Sequence, residues 1–142
     1  MAGRLRAAAT GSAPRRGGGV SVSLVAVAAA FSDLMEISSQ IEAALVLDED
    51  LVVASSLADE SRSERFAAGI RRLVETGEKK RAGLKQVEVA LPEGNVFVVR
   101  EGGRVIGAAT PASPPSALVF YDLRSCLSAL VAEGASRGDA AQ

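Results

Sequence analysis

Apolar residues recur along this chain at more than one period, and each period marks a kind of element. Leu34, Ile37 and Ile41 stand three and four apart, the spacing of one helical face. A first helix is therefore expected over about residues 25–39. Two near-continuous apolar runs follow, at residues 43–47 and 51–57, split by the acidic Asp48, Glu49 and Asp50. That is hairpin spacing. Neither run alternates cleanly, and strands apolar on both faces point to a central sheet position with helices above and below.

The clearest helical period lies in ERFAAGIRRLVETGEKKRAGL. At about 100° per residue, Phe66, Ala67, Ile70, Leu73 and Val74 fall on one face, and Arg65, Arg71, Arg72, Glu75 and Lys79 fall opposite. Residues 59–63 supply N-cap candidates, and Gly77 or Gly83 ends the helix or weakens its last turns. After Leu84 the period becomes two. Val87, Val89 and Leu91 face one way, and Gln86, Glu88 and Ala90 the other. Turn residues at 92–95 and at Gly102-Gly103 separate two further strands, near 96–100 and 104–109. A Pro/Ser/Ala loop then leads into a last helix over about 116–133. Its apolar face carries Val119, Phe120, Leu123, Cys126, Leu127, Leu130 and Val131, and a polar tail is expected over 134–142. The order is α-β-β-α-β-β-β-α, an α/β (α+β) sandwich with a five-stranded, mainly antiparallel sheet and helices on both faces.

The first 19 residues are low in complexity, rich in Gly, Ala, Pro and Arg, and are expected to be a disordered basic tail; the domain proper spans 20–133. The run VSVSLVAVAAAF after a twin arginine has the outline of an export signal. It is too short to span a bilayer, which takes about 20 residues, and Gly-Gly-Gly follows the arginines. A cytoplasmic protein is the expectation, with export as the alternative.

Charge and composition remove several function classes. Formal net charge is −1, but the four arginines of residues 1–19 face no acid there. Without them 12 basic residues stand against 17 acids, a net of −5. Such a domain is poorly suited to nucleic acid, whose affinity rests on phosphate neutralisation. The chain has no histidine and one cysteine. This excludes Ser-His-Asp and Cys-His catalysis, two-His zinc motifs and an internal disulfide. No stretch matches the phosphate-cradling P-loop pattern. Cys126, on the apolar face of the last helix, reads as inert core, and the acidic residues around 48–60 read as solvated turns. No catalytic residue, cofactor or metal ligand is expected, and the chain is expected not to be an enzyme.

The element order and several local patterns resemble the roadblock, or dynein light chain roadblock-type, family, whose fold is profilin-like. The resemblance covers residues 31–131. It rests on an acidic hairpin running into Leu51-Val52-Val53-Ala54-Ser55, on Phe66-Ala67-Ala68 early in the second helix, and on Leu123-Arg124 in the last. One departure is that no glycine follows the acidic hairpin residues.

The resemblance implies a dimer in which third strands pair across a two-fold axis and second helices pack together, here residues 85–91 and 64–80. It also implies a small Ras-like GTPase as partner, as for bacterial members; the Arg- and Gly-rich composition is compatible with a GC-rich bacterial genome. On that basis Phe66, Ile70, Leu73, Val87, Val89 and Leu91 are candidates for the dimer interface, and Arg65, Arg71 and Arg72 for partner binding. The function expected is a non-catalytic homodimeric regulator or scaffold. A PAS-like or profilin-like ligand-sensing module is the alternative, and it would need a sizeable closed pocket.

Overall fold

The computed structural model describes residues 24–141, so the basic tail and the first residues of the signal-like run lie outside it. Three helices, α1 (Leu24–Ile37), α2 (Glu60–Lys80) and α3 (Ser116–Ala141), accompany five strands: β1 (Ala43–Asp48), β2 (Leu51–Ser55), β3 (Gln86–Leu91), β4 (Gly94–Glu101) and β5 (Arg104–Thr110). The order is α-β-β-α-β-β-β-α. The strands form one sheet in the order β2-β1-β5-β4-β3, and every neighbouring pair is antiparallel.

Alternation along the strands divides the core in two. Ala44, Val46, Ala54, Phe97, Val99, Ile106 and Ala108 face α1 and α3, meeting Val27, Phe31, Leu34, Val119, Leu123 and Leu127. Phe97 is fully buried and meets Phe120 edge-to-face, ring centroids 5.0 Å apart, a favoured aromatic geometry. Val27 and Phe31, within the signal-like run, thus belong to this core. On the opposite face Leu45, Leu47, Val52 and Val98 meet Ala67 and Ile70 of α2.

Both β1 and β2 were expected at the centre. β1 is central, but β2 is an edge strand. The irregular apolar pattern of β2 has a local cause: the register slips between Val46 and Leu47, so Val53 is an extra residue without an opposite partner. Such a bulge mixes the two faces, and Leu51 is left exposed. The hairpin closes despite the missing glycine because Glu49 and Asp50 both take positive φ, 51° and 73°, the requirement of a two-residue turn of this hand. At the other end, α3 runs past residue 133 to Ala141.

One helix must join strands at opposite edges, and a close contact fixes its path. A Cβ on Gly107 would overlap Cδ1 and Cγ1 of Ile70, so with any other residue here Ile70 would have to shift for α2 to lie this close to β5. Gly107→Ala should cost about 1–3 kcal/mol by overpacking, measured by denaturant unfolding. Because the clash is with Ile70, Ile70→Ala should cost less in the Gly107→Ala background than in the native chain. Additive costs would refute the contact.

Candidate partner-binding surface

α2 begins at the C-terminal end of β2 and delivers the chain to the start of β3, so it crosses the sheet diagonally over β1 and β4. Its start is tied down by the buried Ser63 hydroxyl, which donates to Ser55 Oγ at 2.8 Å, and by the Asp59 carboxylate, which accepts from the Ser61 N–H. Midway, the Arg71 guanidinium donates to the Asp50 carbonyl at 2.6 Å. This flank of α2 therefore faces the β1–β2 turn. Phe66 and Leu73 lie on roughly the opposite flank of the wheel, towards the C-terminal end of β3. That corner of the sheet holds Val89, Leu91 and Val96.

Four of the six residues expected at a dimer interface border this corner, whereas Val87, at the start of β3, lies beneath Gly77 in the last turns of α2. Phe66, Leu73, Val87 and Val89 are half-buried, and Leu91 is 44% exposed. Gly69 adds no side chain to the outer flank between Phe66 and Leu73, and the space around it is open. Ile70 departs furthest from the expectation. It is fully buried over Gly107 and belongs to the core of one chain rather than to an outer face. Among the arginines, Arg65 and Arg72 are exposed, whereas Arg71 is half-buried and holds α2 to the hairpin turn.

Several side chains tie β3 to its neighbours. Glu78 pairs with Arg100 and accepts from the Gly83 N–H at 3.0 Å. The Gly83 hydrogen bond and the Arg100 guanidinium hold the Glu78 carboxyl below the usual carboxylate range. Arg100 also donates to the Leu84 carbonyl, and its N–H donates to the Lys85 carbonyl at 2.8 Å. On the face towards α3 every polar side chain of β3 has a partner: Gln86 accepts from Arg124, and Glu88 accepts from Asn95 at 2.6 Å and Ser116 at 2.9 Å. These anchors were missed in the sequence. No local signal could have found them, because Gln86 and Glu88 are exposed and their partners depend on where α3 and β4 lie.

The remaining chemistry is structural. Asp48 pairs with Arg104 at 3.6 Å; burial raises its pKa, Arg104 opposes that, and Glu49 adds to it. Among the described residues no group of three His, Cys, Asp or Glu could hold a metal ion, and no helix is long and apolar enough to cross a membrane. A cavity beside Val74, Leu84, Val87 and Val98 measures about 10 Å³, room for no more than one water.

With this geometry in view, comparison with known structures becomes informative. A roadblock/LC7 domain from Streptomyces avermitilis superposes with a TM-score of 0.57 at 21% identity, covering 68% of this chain and 88% of that one. MglB from Myxococcus xanthus gives 0.64 at 10% identity, covering 80% and 91%. The gliding protein MglB of Thermus thermophilus gives 0.59 at 11%, covering 85% and 95%. The chain has the roadblock/LC7 fold. The sequence matches no protein-family model and no curated protein, so within the roadblock fold the likeness is one of architecture.

Cys126 is buried beside the Ala30 carbonyl, and burial, with a smaller contribution from Asp33, pushes its thiol up to about 11. The folded state favours the neutral thiol, so this contribution to stability is complete below the unfolded value of 9.0. It falls as pH rises towards 11, by about 1.4 kcal/mol per pH unit. Thermal melts from pH 8 to 11 should show this loss in the native chain and a shallower loss in Cys126→Ala. Identical profiles would contradict the assignment.

Proposed function

We propose that this chain is a non-catalytic homodimeric regulator or scaffold that binds a small Ras-like GTPase. The observation that carries the reading is an asymmetry between the two sheet edges. β2 is short and bulged, a device that blunts an edge. β3 is unbroken over its whole length, is anchored at its start and along its polar face, and lies beside an apolar corner that its own helix leaves open. A second copy, applied by a two-fold axis, presents the same edge and corner in self-complementary form. β3 strands would then pair into a continuous sheet while the Phe66 and Leu73 flanks of the two α2 helices close the corners.

The GTPase belongs on the outer face of the paired α2 helices, where Arg65 and Arg72 are exposed. Regulation there is conformational: the dimer binds one arrangement of the GTPase switch loops better than another and shifts their population. The resemblance in residue pattern and the shared fold support this class of partner.

Full-length protein at micromolar concentration should scatter light as a dimer, and Val89→Arg should return it to a monomer with unchanged helix content. Arg65→Glu with Arg72→Glu should leave the dimer intact and weaken binding to a Ras-like GTPase from the same genome by about tenfold or more. A native monomer would overturn the two-fold reading, and unchanged GTPase affinity would overturn the surface.

A further inference from the structure

The ladder between β3 and β4 states which backbone groups face outward. The Arg100 N–H donates to the Lys85 carbonyl, and the register pairs Val87 with Val98, Val89 with Val96 and Leu91 with Gly94. Hydrogen-bonded pairs alternate in an antiparallel ladder, so those three residues direct their N–H and C=O groups at β4. Gln86, Glu88 and Ala90 direct theirs out of the sheet. Of the two-fold registers open to a second β3 strand, those centred on Val87, Glu88 and Val89 overlap the two strands most fully. Centred on Val87, the pairing sets Ala90 against Leu84, outside the strand. Centred on Val89, it sets Gln86 against Pro92, which has no N–H to donate. Centred on Glu88, it joins Gln86 to Ala90 and Glu88 to its own copy, and all three outward residues find partners within the strand. This register also sets Val87 against Val89 on the face of the open corner.

The obstacle is charge, because like charges directly opposite across a ladder destabilise it. The side-chain hydrogen bonds of Glu88 remove the obstacle. Asn95 lies on β4, away from the free edge, and Ser116 opens α3; together they turn the Glu88 carboxylate inward. Asn95 is itself buried, which fixes its position. We infer that a second copy of this chain pairs along β3 in the register centred on Glu88, and that Asn95, with Ser116, is the residue that permits it by drawing the Glu88 carboxylate away from its two-fold mate. This rests on the homodimer reading above and specifies it.

Cysteine cross-linking of the full-length protein separates the possibilities. Opposed residues in antiparallel strands lie about 4.5–5.5 Å apart between Cα atoms, within disulfide range. Glu88→Cys should cross-link with itself under mild oxidation. Val87→Cys and Val89→Cys should fail alone and cross-link when mixed, while the native chain, whose Cys126 is buried, gives no covalent dimer. Self-cross-linking of either valine variant would overturn the register and leave the dimer standing. No cross-link in a chain that scatters as a dimer would overturn pairing along β3, and a native monomer would remove the homodimer reading itself. In unmodified cysteine background, Asn95→Ala should raise the dimer dissociation constant about tenfold, and Glu88→Gln added to it should restore much of the loss. An unchanged constant in Asn95→Ala would overturn its positioning role.

Discussion

A single helix has to connect strands at opposite edges of the sheet, and the contact of Ile70 with Gly107 settles where that helix can lie. With no Cβ on β5 at that point, α2 sinks onto the middle of the sheet and crosses it on a diagonal. One diagonal helix cannot cover a rectangular face. The Ser63–Ser55 hydrogen bond and the Arg71–Asp50 contact secure one side of the crossing, which leaves the uncovered area at the far end of β3. On the other face α1 and α3 lie over the sheet together and enclose the larger core, with the polar side of β3, Gln86, Glu88 and Ala90, left exposed.

The open corner and the open edge therefore have one origin. β3 joins the sheet last in space, has β4 on one side only, and receives α2 just at its beginning. Its polar face is tied to α3 through Gln86 and Glu88, and its start is clamped by Glu78 and Arg100. The strand is tied down without being covered. An edge of this kind is a template for another strand, and its apolar surroundings match what the core of a protein interface requires. Association of two copies is the simplest way to cover both at once.

Much of this was legible in the residues. The period of two from Gln86 to Leu91 placed β3 to the residue, and the wheel of α2 separated Phe66 and Leu73 from its charged face. What the residues hid was mostly tertiary. Nothing in the local pattern of Ile70 distinguishes it from Phe66; only Gly107, distant in sequence, makes the first a core residue and leaves the second at the margin. Arg71 reads like Arg65 and Arg72 until the Asp50 carbonyl lies beside it. The apolar run of β2 imitates a central strand because a bulge, invisible to composition, breaks its alternation. Asn95 reads as a turn residue, and its grip on Glu88 depends on the register between β3 and β4.

Amide hydrogen exchange along β3, followed as a function of protein concentration, tests the self-pairing edge most directly. The N–H groups of Val87, Val89 and Leu91 point at β4 and serve as an internal reference, protected throughout. The account predicts that those of Gln86, Glu88 and Ala90 are protected at high concentration and exchange freely on dilution, as the two-fold ladder forms and dissolves. Free exchange at these three positions at every concentration, including those where the chain is associated, would contradict it.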